Sequence, residues 1–319
     1  VRVKSSVRLR VQMITAACDS NIGRLRCESL FYANLARPRR MVVVRLHGGL
    51  GNQMFQYAAG LSLAVRHNAA LKLDISALRP ADSRGRTYAL DCFGLDTQVP
   101  TEIASRSDLA KVGQHDRSPC MRWLHKVRER CTPRPKRLTF REQVEFRVDP
   151  GFWKVRPPVY LSGYWQAVGY FKHVLDDVKA AFRFRDELTG KNREIAERIA
   201  HTESVAVHVR RGDYAQNPIT RRKHGLCSLE YYQRCSAALR EQVADPFFFI
   251  FSDDPEWVRS HGVLDAPSLL VAHNTGRHDH LDLHLMSRCK HQIIANSTFS
   301  WWGAWLNAYS HQKVYAPKQ

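Results

Sequence analysis

Apolar positions in the first third of the chain change from a short continuous run to helical spacing and back. Met41–Leu46 is an apolar run typical of a buried strand, and it leads into the glycine-rich turn His47–Asn52. In Gln53–Arg66 the apolar residues recur at the three- and four-residue spacing of a helix, and Leu71–Ile75 predicts a second strand. This order predicts a parallel sheet with a right-handed crossover.

The second half of the chain repeats this alternation more regularly. The predicted strands are Val205–Val209, Phe247–Ser252, Leu269–Ala272, Gln292–Asn296 and Lys313–Ala316, and the predicted helices are Leu229–Val243, Pro255–His261, Leu281–Arg288 and Trp301–Tyr309. The pattern is weak from Ala77 to about Pro158, after which Val159–Ser162 predicts a strand and Tyr170–Phe182 and Lys191–Ala200 predict helices. The sequence therefore predicts an α/β fold with two doubly wound parallel sheets.

These patterns divide the 319 residues into four segments. Residues 1–40 carry nine basic and two acidic residues, a net charge of +7, without strand or helix periodicity. We expect them to be a disordered basic extension, either a natural arm or sequence upstream of a start at Met41. Residues 41–165 and 204–319 are predicted to be two α/β domains facing a cleft, and residues 166–203 a helical linker.

Composition narrows the class of protein. No apolar run reaches the roughly 18 residues of a membrane span, and eight cysteines without CxxC pairing indicate reduced thiols in a cytoplasmic protein. The net charge of +19 is spread along the chain rather than concentrated in a basic stripe with aromatic residues, so no nucleic-acid partner is expected. A nucleotide diphosphate, or peripheral contact with an anionic membrane surface, fits the same charge.

Two adjacent arginines come directly after the predicted strand Val205–Val209. The segment includes His208, Arg210, Arg211 and Asp213. A guanidinium remains charged and matches phosphate oxygens with two parallel donors, and ligands of open α/β sheets lie beyond the carboxyl ends of strands. The segment therefore predicts a pyrophosphate site, with a solvated surface charge cluster as the alternative.

A glycine-rich turn, Gly48–Gln53, joins the first strand to the first helix. Gly49 and Gly51 allow a ligand to approach the backbone closely, and free N–H groups at a helix start attract anions. The turn matches half of a dinucleotide fingerprint, with Asp74 downstream, but Met54 stands where the third glycine belongs. A nicotinamide-dependent oxidoreductase is therefore an alternative function, and a tight turn without a ligand is the structural alternative.

The segment Asn296–Gly303 again follows a predicted strand and opens a helix. The hydroxyls of Ser297, Thr298 and Ser300, together with free helix N–H groups, suit a phosphate, although ordinary N-caps use the same residue types. Because Arg210 lies at a strand end of the same predicted sheet, the two segments predict one diphosphate site.

Two groups of side chains allow a metal interpretation. His280 and His284 lie four residues apart on one helix face, and Asp253 and Asp254 follow a strand. No further ligand is evident near the histidines, and two carboxylates before Pro255 suit the N-terminus of a helix. We favour the structural interpretation of both groups and expect no resident metal ion.

Five segments resemble one family when they are taken together. They are LHGGLGNQMFQYA (46–58), GYWQ…YF (163–171), HVRRGDY (208–214), FSDD (251–254) and NSTFSWWGAWL (296–306), and they are similar to bacterial glycosyltransferase family 11, the α-1,2-fucosyltransferases that use GDP-fucose. The resemblance covers Met41–Gln319. It implies a GT-B-like fold with an amino-terminal acceptor domain and a carboxyl-terminal donor domain. It also implies inverting, metal-independent transfer to the 2-hydroxyl of a terminal galactose on a glycan or a lipid-linked oligosaccharide.

The resemblance also implies roles for individual residues. These are guanine contacts for His208 and Asp282, a β-phosphate contact for Arg210, a phosphate-binding turn at Ser297, Thr298, Phe299 and Ser300, and a position near the sugar for Asn52. The base glutamate of the α-1,6-fucosyltransferases has no counterpart, so Asp213 is the predicted general base, with a mechanism lacking a strong base as the alternative. Another sugar donor, or a sugar-binding module without turnover, remains open.

Overall fold

The described chain separates into two compact units. A computed structural model describes residues 40–78, 86–114, 127–212 and 225–318. The division between the units falls between Arg185 and Asp186, which lies inside the segment 166–203 that the sequence predicts as a linker. We refer to the described residues up to Arg185 as the first unit and to those from Asp186 as the second unit.

The first unit is built on a parallel sheet of five strands. The strands are β1 (Met41–Arg45), β2 (Ala70–Asp74), β3 (Thr101–Ile103), β4 (Thr139–Arg141) and β5 (Val159–Ser162), and the helices named here are α1 (Leu50–His67), α2 (Arg106–Lys111) and α3 (Leu175–Ala181). The strand order is β3-β2-β1-β5-β4, with every neighbouring pair parallel. The chain runs outward from β1 on one side and returns on the other, so the strand order reverses between β1 and β5.

The second unit has a parallel sheet of the same size. Its strands are β6 (Glu203–Val209), β7 (Pro246–Ser252), β8 (Ser268–Val271), β9 (His291–Ile293) and β10 (Val314–Tyr315), and its helices are α4 (Gly190–Ala200), α5 (Leu229–Arg240), α6 (Pro255–His261), α7 (Asp279–Arg288) and α8 (Thr298–Trp305). The order β10-β9-β6-β7-β8 places the reversal between β6 and β9. At such a reversal two loops diverge and leave a crevice for a ligand.

Helices cover both faces of the second sheet. In β6, Val207 belongs to an apolar cluster that includes Leu239 of α5. Its neighbour Ala206 points to the opposite face and belongs to a cluster with Ile199 of α4 and Leu285 of α7. Successive side chains of a strand face opposite sides, so a strand covered on both sides is apolar throughout. This confirms the predicted doubly wound architecture in the second unit.

The first sheet is also covered on both faces, and Gly60 sets the separation on one of them. A Cβ atom at Gly60 of α1 would lie 2.3 Å from Cγ2 of Val44 and 2.9 Å from Cδ1 of Leu71, so the helix backbone rests almost directly on β1 and β2. On the opposite face, Val43 packs in a cluster with Leu109 of α2. Two parallel-sheet α/β units are therefore confirmed.

The structure corrects several predicted boundaries. Helix α1 begins at Leu50 rather than Gln53, because Gly49 occupies the N-cap position, and α8 begins at Thr298 rather than Trp301, because Ser297 is its N-cap. Of the helix predicted at Tyr170–Phe182, only Leu175–Ala181 is α-helical. Among the helices of the described ranges, none is long and apolar enough to cross a membrane.

Candidate functional site

Polar side chains converge at the carboxyl end of the second sheet, beside the reversal between β6 and β9. These strands are direct neighbours, with Val207 opposite Ile293, and both run in the same direction. Arg210 follows β6, and the N-cap residue Ser297 follows β9 at a distance of four residues. The arginine and the start of α8 therefore lie at the same edge of the sheet, as the sequence predicts.

Asp253, which follows β7, holds the segment that carries the arginines. Its Oδ2 lies 3.1 Å from Nη1 of Arg210, and its Oδ1 accepts a hydrogen bond of 2.8 Å from the backbone N–H of Arg211. A Cβ atom on Gly212 would lie 2.4 Å from Oδ2 of Asp253, so a larger residue there would displace this carboxylate. Of the acidic pair, only Asp254 caps helix α6, by accepting from the N–H of Trp257.

Arg211 has different partners from Arg210. The Cζ atom of its guanidinium lies 3.9 Å from the centre of the Trp257 ring, and its Nε is 3.8 Å from Oδ2 of Asp254. The stacked guanidinium therefore gains a cation–π contact on the surface of α6. The two adjacent arginines therefore have different partners, and of the two only Arg210 contacts Asp253 through its side chain.

His208 is a buried imidazole with an unpaired nitrogen. It lies near the end of β6, and its ring packs against that of Phe299 at a centroid distance of 5.5 Å. Burial, with a smaller contribution from the charge of Arg210, lowers the pKa of His208 to about 3, so the ring is neutral at physiological pH. Among the described residues, its buried Nδ1 has no hydrogen-bond partner. An orphaned buried nitrogen is a feature that a polar ligand atom would satisfy.

The start of α8 provides fewer hydroxyls than the sequence predicts. Ser297 caps the helix by accepting from the N–H of Phe299 at 3.3 Å, and it is partly exposed, as is Thr298. Ser300 is completely buried, and its hydroxyl lies within hydrogen-bond distance of the carbonyl oxygens of Ala295 and Ser297. We therefore leave Ser300 out of the phosphate site and retain Ser297, Thr298 and the backbone N–H groups.

Asp282 of α7 lies at the end of a chain of amide side chains. It is 9% exposed, and its Oδ1 accepts a 2.7 Å hydrogen bond from Nδ2 of Asn274. The amides of Asn274 and Asn192 donate to each other at 2.9 Å in both directions, and Nε2 of His273 lies 2.9 Å from Oδ1 of Asn192. Within the described chain, Asn274 provides the only hydrogen bond to the Asp282 carboxylate. Sequence reasoning missed both asparagines, which belong to none of the recognised segments.

The environment of Asp282 moves its titration into the neutral range. Burial raises the pKa of Asp282 to about 7, the hydrogen bond from Asn274 opposes this increase, and the nearby charge of Asp279 adds to it. A buried carboxyl group with one hydrogen bond and a pKa near 7 exchanges its proton readily at neutral pH. Perturbed groups of this kind concentrate at functional sites.

The corresponding edge of the first sheet carries the glycine-rich turn. Gly48 has a φ of +81°, and a Cβ atom there would lie 2.6 Å from Nδ2 of Asn52. Asn52 in the first turn of α1 accepts a 2.8 Å hydrogen bond from Nε2 of Gln166, which follows β5. Gly49 is the N-cap of α1, and Gly51 is buried inside the first turn. The turn after β1 and the loop after β5 are therefore connected at the reversal of this sheet.

Two completely buried glutamines fix the turn from beneath. Nε2 of Gln53 donates to the carbonyls of Gly48 and Thr87 at 3.0 and 2.9 Å, and its Oε1 accepts from the N–H of Ala89 at 3.0 Å. The side-chain amide of Gln56 accepts a hydrogen bond from the N–H of His47 and donates one to its carbonyl. The local order of the turn thus depends on neutral side-chain amides.

The structure gives no support to the nicotinamide alternative. Asp74, which would have to bind a ribose hydroxyl in a dinucleotide site, is buried. Its Oδ2 accepts from the hydroxyl of Tyr160 at 2.6 Å, and its Oδ1 accepts from the N–H of Ser76 at 2.9 Å. Both carboxylate oxygens therefore accept hydrogen bonds from within the first unit.

The histidine pair of α7 is used within the protein. Nδ1 of His280 lies 2.9 Å from the carbonyl of Arg277, and burial lowers the pKa of His284 to about 4. In the ranges that the structure describes, no group of three or more His, Cys, Asp or Glu side chains is arranged around a common metal position. The predicted base Asp213 lies outside these ranges.

A guanidinium, a helix start and an orphaned imidazole nitrogen lie at the carboxyl end of the second sheet, and α7 of the same unit carries a buried carboxyl group. The family model described as Glycosyl transferase family 11 matches residues 151–318, and a relative discussed below is 34% identical over most of the chain. The chain belongs to glycosyl transferase family 11 and is a glycosyltransferase. Neither the family nor these relatives support an oxidoreductase.

Two bacterial relatives span nearly the whole described sequence. An alpha-1,2-colitosyltransferase of Escherichia coli is 34% identical over 281 residues, covering 87% of this chain and 91% of the relative. The O-antigen biosynthesis glycosyltransferase WbnK of Escherichia coli is 27% identical over 288 residues, covering 86% of this chain and 93% of the relative.

A further relative is similar over a shorter stretch. A galactoside alpha-(1,2)-fucosyltransferase 1 of Leontocebus fuscicollis is 28% identical over 160 residues, which cover 47% of this chain and 43% of the relative. Among solved structures, fucosyltransferase NodZ from Bradyrhizobium has a TM-score of 0.49 at 15% identity, covering 83% and 91%.

Proposed function

We propose that the protein transfers L-fucose from GDP-fucose to the 2-hydroxyl of a terminal galactose, with inversion at the anomeric carbon and without a metal ion. Family membership supports glycosyl transfer, and the names of its relatives support an α-1,2 linkage. The observation that carries the proposal is the convergence of Arg210, His208 and the start of α8 on one sheet reversal.

The diphosphate would bind between Arg210 and the start of α8. The guanidinium is already oriented by Asp253, so it loses little freedom when it also contacts a phosphate. The start of α8 carries the positive end of the helix dipole, which attracts anions. Together these groups provide a fixed positive environment for the two phosphates.

Asp282 and His208 would bind the guanine base. Guanine presents adjacent donors at N1 and N2, which a carboxylate accepts together, whereas uracil and adenine lack this donor pair. Asp282 retains Oδ2 and part of Oδ1 for these donors, because its one hydrogen bond comes from Asn274. The neutral imidazole of His208 offers the unpaired Nδ1 to a further polar atom of the nucleotide.

The chemical step would be a single displacement. The acceptor oxygen forms a bond to the anomeric carbon of fucose while the bond from that carbon to the β-phosphate oxygen breaks, and the electron pair leaves with GDP. Negative charge grows on the β-phosphate. Arg210 and the start of α8 would stabilise this charge without having to reorient during the reaction. The proton of the acceptor hydroxyl passes to a base, for which Asp213 remains the prediction.

The experiment that tests this proposal is a transfer assay. Purified protein is incubated with GDP-fucose and a panel of β-galactosides, and products are identified by mass spectrometry, with NMR coupling constants assigning the new linkage and its anomeric configuration. We expect one α-1,2-fucosylated product. A product with another linkage, or no product with any galactoside, would refute the proposal.

A second donor is favoured by one specific observation. The relative at 34% identity is named an alpha-1,2-colitosyltransferase, which points to colitose as the alternative sugar. The guanine and diphosphate contacts described above would be shared by both donors. Competition between GDP-fucose and GDP-colitose in the same assay separates the two possibilities by their ratio of kcat/KM.

A further inference from the structure

An exposed tyrosine lies at the reversal of the first sheet. Tyr164 follows β5, and its ring meets the ring of His47, which follows β1, edge to face at a centroid distance of 4.5 Å. The residue is 39% exposed although the residue after it is completely buried. In the described chain its hydroxyl makes no hydrogen bond. The side chain therefore presents an aromatic surface at the position where an open α/β sheet binds its ligand.

The backbone that carries Tyr164 is held by one carboxylate. Oε2 of Glu142, which follows β4, accepts from the N–H groups of Tyr164 and Trp165 at 2.7 and 3.0 Å. A Cβ atom on Gly163 would lie 2.5 Å from Cβ of Glu142, so the contact requires glycine at this position. Burial raises the pKa of Glu142, and the two backbone donors oppose that increase. Two charge-assisted hydrogen bonds on successive N–H groups leave this loop little freedom.

The next residue, Trp165, adopts an unfavourable backbone conformation in the same loop. Trp165 has a φ of +57°, a left-handed backbone conformation that is unfavourable for a bulky residue. Its completely buried ring compensates by packing against Phe140 and Phe152 at centroid distances of 6.2 and 5.4 Å. Strain of this kind persists where the surrounding structure over-determines the conformation, which is common at ligand sites.

The opposite side of the ring pair is equally fixed. The buried Gln56 amide bonds both backbone polar groups of His47. Two residues beyond Tyr164, the side chain of Gln166 reaches across to Asn52 of α1. An exposed aromatic ring therefore stands on a rigid base beside side-chain amides, and burial with the nearby Arg45 lowers the pKa of His47. A rigid surface of aromatic and amide groups suits a sugar, which has an apolar ring face and hydroxyls at its edge.

We infer that Tyr164 is the stacking surface of the acceptor site and binds the apolar face of the terminal galactose ring. This inference rests on the proposed function. The axial 4-hydroxyl of galactose leaves several C–H groups on one face of the ring, and that face packs on aromatic side chains, whose edges and faces contribute area at low entropic cost. The hydroxyls at the ring edge would then meet the amides of Asn52 and Gln166.

The test compares Tyr164→Ala with Tyr164→Phe and with a matched control. Tyr309 is 37% exposed and meets the ring of His291 edge to face at 5.7 Å, but it lies in the second unit. In transfer assays, Tyr164→Ala should raise the KM for the galactoside about tenfold. Tyr164→Phe should restore it to within about twofold because the ring is retained. Tyr309→Ala should leave the galactoside KM unchanged, and no variant should change the Kd for GDP.

Direct binding separates this inference from the proposed function. Saturation-transfer NMR with methyl β-galactoside, in the presence of GDP, measures acceptor binding without turnover. If the unaltered protein transfers no sugar but binds the galactoside, and Tyr164→Ala removes that binding, the proposed function fails and the stacking surface stands. If transfer or binding is the same in Tyr164→Ala as in the unaltered protein, or if no galactoside binds at all, the inference is overturned. Tyr164→Leu replaces Tyr164→Ala if the latter lowers the melting temperature.

Discussion

The two sheets of this glycosyltransferase share one design and carry opposite chemistry at their ligand edges. In the second unit the segment after β6 carries Arg210, which contacts Asp253, and α7 carries the titrating group Asp282. In the first unit the turn after β1 and the loop after β5 are joined mainly by the side-chain amides of Gln56, Asn52 and their partners, with the charged side chains of Arg86 and Glu142 close by. The difference matches an anionic nucleotide on one side and an uncharged sugar on the other. It also predicts which changes will affect donor binding, and which will affect folding or acceptor binding.

The largest expected effect is that of Arg210→Ala on the donor side. Loss of a preorganised donor to the developing phosphate charge typically costs roughly 3–4 kcal/mol, or about 10²–10³ in rate. Arg211→Ala is the matched control, because the Arg211 guanidinium stacks on the ring of Trp257 instead of pairing with Asp253. Measurement of kcat/KM for transfer, and of the Kd for GDP, checks the prediction. Equal residual activity in the two variants would mean that the charged edge does not act through Arg210.

The next effect belongs to the neutral edge and concerns folding. Gln53→Ala removes three hydrogen bonds of a completely buried amide and leaves the N–H of Ala89 without this partner, so we expect the free energy of unfolding to fall by roughly 2–3 kcal/mol. Gln242→Ala, which removes two hydrogen bonds of an exposed residue, should cost about 1 kcal/mol or less. Urea denaturation measures both. A decrease for Gln53→Ala that depends on pH between 6 and 8 would contradict a purely neutral role.

A smaller effect is the pH dependence of GDP binding in the second unit. Because the ionised form of Asp282 accepts the guanine donors and its pKa is about 7, the affinity for GDP should rise with pH and be about tenfold weaker at pH 6 than at its plateau. Without nucleotide the sign is opposite, since a raised carboxyl pKa stabilises the fold at low pH and that contribution is lost as the pH rises through 7.

Asp282→Asn provides the control for this pH profile. The β-phosphate of GDP also titrates in this range, and its contribution remains in the variant. Calorimetry from pH 6 to pH 9 should therefore show a steeper profile in the unaltered protein than in Asp282→Asn. His208 adds nothing in this window, because its pKa is about 3. Parallel profiles in the two proteins would remove the guanine-binding role of Asp282.

The smallest expected effect is that of a chelator. If Arg210 and the start of α8 neutralise the diphosphate, excess EDTA should change the transfer rate by less than about twofold. The assay is repeated with added manganese or magnesium. If EDTA lowers the transfer rate more than tenfold and either ion restores it, the diphosphate site of the second unit requires a metal ion.

The sequence alone predicts the parts of this molecule that depend on local pattern. Strands β1, β5 and β6 each contain a short run of mainly apolar residues, and Arg210 directly follows β6. Strands β3 and β4 have three residues each, too few to show periodicity, and they lie in the region where the sequence left the elements unordered. Patterning along the chain predicts burial, but the length of a short edge strand depends on its neighbour in the sheet.

Pairings across long sequence separations could not be predicted. Asn192 and Asn274 are 82 residues apart, and Glu142 lies 22 residues before the N–H that it binds in Tyr164. The segment 163–171 was recognised, but nothing in it assigns a role to Tyr164. The hydroxyl of Ser300 was assigned to phosphate because its residue type suits a helix start, whereas the structure directs it into the interior. Residue type alone does not determine the direction of a side chain.

The contact of Gly60 with Val44 and Leu71 has a practical consequence for engineering. The separation between α1 and β1 is fixed at this one position, since even a methyl group there would overlap Val44. Any library that varies residue 60 would shift the helix whose first turn carries Asn52, and so would disturb the packing of the first unit and its glycine-rich turn together. Libraries aimed at this edge of the sheet should keep residue 60 constant and vary the exposed Tyr164 instead.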